Sequence, residues 1–234
     1  MATALDLLLQ HQSLWRGRER GRTRQAAESS GHAVLDEILP GGGWPLGALS
    51  EILLPHPGFG ELSLLLPVLA RLTQAGRPVV FVNPPHSPQV PALVQGGVVP
   101  ERVLLVRGNQ GRDAHWAVEQ ALRSARRATV LSWTAPATAT PSASVDERTL
   151  RRWQLAAEEG QALAFVFRPL SVERETSPAA LRLRLGTAAR RPEGQAEGGR
   201  SRLLHSPPAR IRLALLKARG LPCSSATPLE LELP

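Results

Sequence analysis

Residues 49–66 read LSEILLPHPGFGELSLLL, and they decide the fold. Leu49–Leu54 is an apolar run of buried-strand type, residues 55–60 are a turn of proline and glycine, and from Glu61 leucines recur at helical spacing. Strand, glycine turn and helix in this order form the frame of a phosphate-binding loop. A working loop reads G-x-x-x-x-G-K-[ST], because its backbone amides, lysine and hydroxyl hold phosphate and Mg²⁺. Here Pro55 takes the place of the first glycine, Gly60 the second, Glu61 the lysine and Leu62 the hydroxyl. A carboxylate at that helix start repels a triphosphate. The sole lysine of the chain, Lys217, lies far along the sequence.

Working outward, an alternating pattern fills the chain. Leu35 and Leu39 mark a short helical turn, broken by Gly41-Gly42-Gly43. Residues 61–75 predict a helix with Leu62, Leu65, Leu66, Leu69 and Leu72 on its apolar face, and Pro67 inside it predicts a kink or a later start. Strands are expected over 78–82, 102–106, 128–133 and 162–167, with helices over 88–96, 115–126 and 146–160 between them. Strands separated by helices of this length imply crossover connections and a mainly parallel sheet covered on both faces, an α/β fold. Residues 180–185 and 209–216 alternate apolar and basic residues, which predicts half-exposed strands. A last strand is expected at 229–233. The Gly/Arg/Glu/Pro-rich stretch 187–208 predicts a mobile loop.

The chain divides into residues 1–29, an amphipathic helix over 3–16 followed by an arginine-rich linker, and a core domain over 30–234. Leu5, Leu8, Leu9 and Trp15 fall near one face of that helix, which is marginal alone and must pack on its own chain or on another protein. With 234 residues and 42% hydrophobic content, a sizeable core is expected. Lone Cys223 makes no internal disulfide, and neither the cysteine nor the six scattered histidines has metal-site spacing. No long apolar run is present, so a cytoplasmic protein is expected, with association to the nucleoid left open. The net charge of +8, nearly all arginine, suits a phosphate backbone or an acidic protein face, or a merely solvated surface. Arg182, Arg184, Arg210, Arg212 and Arg219, around the last strands, are the candidate nucleic-acid contacts. Trp116, Trp133 and Trp153 are read as core residues.

The stretch SGHAVLDEILPGGGWPLGALSEI, residues 30–52, resembles the start of the RecA recombinase core, S-G-x-x-x-L-D-x-x-L, a glycine turn, P-x-G and a strand ending E-I. The chain looks most like relatives of that core which lost nucleotide chemistry. Residues 50–170 are similar to the SulA division inhibitors. LDLLLQHQSLWRGRE near the start and LALLKARG near the end are similar to the ImuA family of translesion synthesis. By this resemblance the Mg²⁺-holding aspartate falls near Trp133, the base near Pro85 and the γ-phosphate sensor near Arg168. The DNA-binding loops fall at 135–145 and 170–179.

The resemblance implies a RecA-like core without ATPase activity, cofactor or metal. Its implied role is that of an adaptor in SOS-induced error-prone translesion synthesis. The implied partners are RecA, an ImuB-type inactive Y-family polymerase relative and a second DnaE-type polymerase. Leu5, Leu8, Leu9 and Trp15 are the expected RecA contact. The alternative is a SulA-like inhibitor binding the tubulin-like FtsZ. Within the loop, Glu61 is expected to cap its own helix.

Overall fold

The computed structural model describes residues 26–108, 111–124, 127–134, 145–187, 210–220 and 228–233. Ten strands and five helices are present among them. A small antiparallel pair joins β1 (Ala27–Glu28) to β2 (Trp44–Pro45), with α1 (Ala33–Ile38) between them. The main sheet begins with β3 (Ala48–Leu54), α2 (Glu61–Gln74), β4 (Val79–Val82), α3 (Val90–Gln95) and β5 (Val103–Val106). It continues through α4 (Arg112–Ser124), β6 (Thr129–Trp133), α5 (Glu147–Gly160) and β7 (Leu163–Pro169). Strands β8 (Leu181–Thr187), β9 (Arg210–Ala218) and β10 (Leu229–Glu232) complete it.

Its eight strands run in the order β10-β9-β8-β3-β7-β6-β4-β5. Strands β8, β3, β7, β6, β4 and β5 are mutually parallel, and β9 and β10 extend the sheet antiparallel. This is the expected α/β architecture, a mainly parallel sheet covered by helices with antiparallel strands added near the C-terminus.

Side-chain alternation along the strands divides the core into two layers. Val79, Phe81, Leu131 and Phe165 pack with Leu64, Leu65, Val68 and Leu69 of α2. Val80, Val82, Val130 and Val166 pack with Val118 and Leu122 of α4 and Leu150 and Trp153 of α5. Helices therefore cover both faces, and β3, buried at all seven residues, is central. The two helices of the second layer are also tied by charge, since buried Glu119 of α4 bonds Arg123 on its own helix and Arg152 of α5.

Several boundaries differ from those read in the sequence. Helix α2 starts at Glu61 and runs on through Pro67. Ala27 and Glu28, assigned to the linker, pair with Pro45 and Trp44, and Glu28 is held by Arg71 and Arg77. Trp133 and Trp153 are buried as expected, but Trp116 is 61% exposed on the outer side of α4. Strand β8 is largely buried rather than half-exposed, because Leu181, Leu183 and Leu185 join the core on one face and Arg182 is covered by Glu51 and the segment 172–175 on the other. The predicted helix over 3–16, the loop at 135–144 and nearly all of 187–208 lie outside the described residues.

Candidate functional site

The motif that precedes the glycine-proline loop is structural in every part. Ser30 N–H donates to Asp36 Oδ1 at 2.7 Å and Ser29 Oγ donates to Asp36 Oδ2 at 2.6 Å, closing the chain onto α1. Leu35 and Leu39 are buried. Gly31 has φ +86°, and a Cβ there would stand 2.4 Å from Cβ of Pro67. Only glycine meets both demands.

The loop itself is closed by protein groups. Gly60 takes φ +96° as the residue before α2. Side chains on a helix lean toward its N-terminus, so Glu61, at the first helical position, reaches back over the turn. Its Oε1 accepts from Gly58 N–H at 2.9 Å and from Trp133 Nε1–H at 3.1 Å. Glu61 is 3% exposed, and its buried Oε2 has no partner among the described residues. The expected internal cap is corrected in detail: Glu61 bonds the loop amide ahead of the helix, and Gly60 supplies no side-chain cap. Positions matched to the lysine and to the metal-holding aspartate, 72 residues apart, thus meet in one hydrogen bond. Trp133 is held by Phe81 and Phe167, with ring centroids at 5.8 and 4.7 Å. Pro55 and Leu62 line the same turn in sequence without a polar side chain to offer. Lys217 lies on β9, where Nζ donates to Ser177 O at 2.7 Å.

Next to this loop is the crevice at the carboxyl ends of β4 and β6. Their connections leave to opposite faces of the sheet, the arrangement that opens a ligand cleft in α/β proteins. The cleft is lined by Asn83, His115, Ser132, Thr134 and Trp153 among others, and its interior is no larger than a water molecule. Asn83 takes φ +49° and accepts from Gly108 N–H through Oδ1 at 3.0 Å. Burial holds the His115 imidazole below its ordinary value against a smaller upward pull from Asp146, and Arg152 adds a lesser downward push. Among the described residues no group of three or more His, Cys, Asp or Glu side chains is placed to hold a metal.

A second polar cluster lies under the adjacent strands. Glu51, 1% exposed in the centre of β3, pairs with Arg168 of β7 at 2.9 Å and with Nε of Arg182 of β8 at 2.9 Å. Arg168 also bonds Val145 O and Glu175. Arg182 spends its remaining N–H groups on the carbonyls of Val172, Glu173 and Glu175, at 3.1 to 3.2 Å, and on Glu51 Oε1 at 3.4 Å. The segment after β7 is thereby fastened to the sheet.

The arginines singled out in the sequence do not form one surface. Arg182 is buried, turned inward by Glu51, so that it offers nothing to solvent. Arg184 pairs with Glu173, Arg212 with Glu230 at 3.0 Å, and Arg210 with Glu232. Those two cross-strand pairs neutralise the face that β9 and β10 share. Arg219 is exposed beyond the end of β9. Leu5, Leu8, Leu9 and Trp15 lie outside the described residues. Sequence reasoning passed over Glu51 as a motif letter and His115 as one scattered histidine; only the strand register brings either to its partners.

Fold and loop together define an α/β core with a mostly parallel sheet, whose glycine-proline loop is bonded shut by its own glutamate and tryptophan. No family model matches the chain. Among curated proteins it is 35% identical over 128 residues to a cell division inhibitor SulA of Edwardsiella piscicida, covering 53% of this chain and 68% of that protein. A SulA of Yersinia pestis (strain Pestoides F) is 30% identical over 53% of this chain and 70% of its own length. One of Photorhabdus laumondii is 29% identical over 50% and 61%. The chain belongs to the SulA-like family. About half of it lies outside these matches. No helix among the described residues is long and apolar enough to cross a membrane.

Proposed function

We propose that this chain is a non-catalytic protein of an SOS-type DNA-damage response that acts by binding other proteins, with inhibition of cell division through FtsZ as its best-supported activity. The hydrogen bond from Trp133 to Glu61 carries the first half of this reading. It sets an indole where phosphoryl transfer needs a metal ligand and a carboxylate where it needs a lysine. Positioned charge is nearly all that such catalysis has. Gly58 N–H, a loop amide of the kind that cradles phosphate, is already given to Glu61. Similarity to division inhibitors supports the second half.

Overexpression in a host lacking RecA tests it. Filamentous cells, with FtsZ retained by the tagged protein, are expected. Normal division and no FtsZ retention would overturn the division reading. Thermal unfolding is expected to be unchanged by ATP–Mg²⁺; a rise in melting temperature overturns the non-catalytic reading.

A translesion adaptor contacting RecA, an ImuB-type polymerase relative, a DnaE-type polymerase and DNA is the second reading. It is favoured by the ImuA-like segments LDLLLQHQSLWRGRE and LALLKARG, in a chain of which the SulA match covers 53%. Here Leu8→Asp is expected to abolish capture of RecA while leaving the fold intact. Capture unchanged by that substitution removes this reading.

A further inference from the structure

Strand β10 lies at the end of the main sheet beside β9, and among the described residues it pairs with no other strand. Residues 229–233 read Leu-Glu-Leu-Glu-Leu. Leu231 and Leu233 are buried and Leu229 is partly so, all three in the core layer of α2. Leu233 lies over the glycine-proline loop: a Cβ at Gly60 would stand 3.1 Å from its Cδ1 and 3.8 Å from Cγ2 of Ile211. On the other face, Glu230 pairs with Arg212 and Glu232 with Arg210. Strand β9 thus presents a pattern to the strand beside it, apolar at Ile211 and Leu213 and basic at Arg210 and Arg212.

The attachment of β10 is modest and separable. Its ladder covers four residues along one side. Both ion pairs are about half exposed, where such pairs contribute little and salt screens them. Residues 219–228 join β10 to β9, a longer connection than the about two to five residues of a tight hairpin, so no turn geometry holds the two strands in register. Strand β9 is secured independently, by β8 from Ile211 to Ala218. Detaching β10 therefore leaves β9 in place, with a free edge and with Ile211 and Leu213 uncovered.

We infer that β9 is a docking edge for an extended acidic segment of another protein, and that β10 is a tethered occupant which this segment displaces. The incoming strand runs antiparallel to β9. It sets leucine-like residues over Ile211, Leu213 and Gly60, and carboxylates against Arg210 and Arg212, as β10 does. Main-chain bonds supply affinity in such strand addition, and alternate side chains supply selectivity. Like-charged or basic segments are refused by the two arginines. Because β10 is tethered, it competes at a high effective concentration. The edge is open to a partner only for the fraction of time that β10 is off, which lowers the apparent affinity by that fraction. Neither reading of function above uses this edge.

The test uses the full chain and a fluorescein-labelled peptide of residues 227–234, TPLELELP. Leu231→Asp combined with Leu233→Asp undocks β10. In anisotropy titrations this variant should bind the peptide at least about tenfold more tightly than wild type does. Adding Arg210→Glu and Arg212→Glu should abolish that gain, and a peptide carrying E230K and E232K should restore it. Amide exchange of the wild-type chain gives a second readout. Leu229–Glu232 should exchange at least about a hundredfold faster than the amides of β3, as local opening requires. Equal binding by wild type and the Leu231/Leu233 variant overturns the inference, and so does a gain indifferent to the charge reversals. Loss of the variant's fold in circular dichroism, or exchange of β10 only with global unfolding, makes β10 an integral core strand and also overturns it.

Discussion

Trp133 Nε1 stands 3.1 Å from Glu61 Oε1, joining the end of β6 to the first residue of α2. In a loop that cradles phosphate, that space belongs to ligand and metal. Here an indole and a carboxyl group fill it from the two sides of the sheet's carboxyl edge. The loop turns through a left-handed Gly60, and its polar contacts point inward.

Trp133→Phe removes one donor from a buried carboxyl group and should cost about 1 kcal/mol in urea unfolding. Trp133→Asp reinstates the acidic residue of an active loop, yet sets it against Glu61, which has no ion-pair partner among the described residues. A loss of about 3 kcal/mol or more is expected, in the range of buried unpaired charge. If Trp133→Asp were as stable as wild type, the Glu61–Trp133 contact would not be what closes this loop.

Glu51→Gln should destabilise the protein by about 3–5 kcal/mol, because two buried guanidinium groups lose their shared carboxylate. Arg184→Ala, 45% exposed in its side chain, should change unfolding little by comparison. Arg182→Ala should resemble Glu51→Gln in denaturant midpoint. Its effect belongs to folding, and a variant of unaltered stability with weakened DNA binding would contradict this.

Gly31→Ala demands φ +86° of a residue with a side chain and drives that Cβ to 2.4 Å from Pro67. A cost above about 1 kcal/mol is expected from the backbone alone, and repulsion against a ring inside α2 adds to it. Midpoint shifts in chemical unfolding measure the sum.

Burial depresses the His115 pKa in the folded protein, against a smaller upward pull from Asp146. The unfolded chain then binds more protons just below the ordinary imidazole range, and the sign follows: stability present above that range declines as pH falls through it. His115→Gln should flatten this decline between about pH 7 and 5. The Asp146 pKa is lowered too, chiefly by hydrogen bonding from the Thr149 side chain and then its backbone N–H, which here favours the charged form. Its carboxylate accepts from Thr149 N–H at 2.8 Å and its pKa is lowered, so its contribution persists until pH drops below the usual carboxylate range. The two windows separate in a pH series of melting temperatures.

Much of this fold was legible in the chain. Periodicity placed the helices at 61–74 and 147–160 and the strands of the parallel sheet to within a few residues. Glu61 and Leu62 were legible as departures from the phosphate-loop pattern. Arg182 was not, because alternation along ALRLRL assigns it to an outer face, and nothing local records that Glu51 waits across the neighbouring strand. Trp116 failed for a related reason: helical spacing gives a face, while the exposure of that face depends on what packs against it. β1 and β2 are too short to leave a periodic signal, and their pairing rests on Glu28 meeting Arg71 and Arg77.

Arg182 holds three carbonyls of the segment 172–175 and so leaves that surface rigid before any encounter. Opening this segment therefore gives up several buried, charge-assisted hydrogen bonds at once, so it opens with the sheet and not as an independent loop.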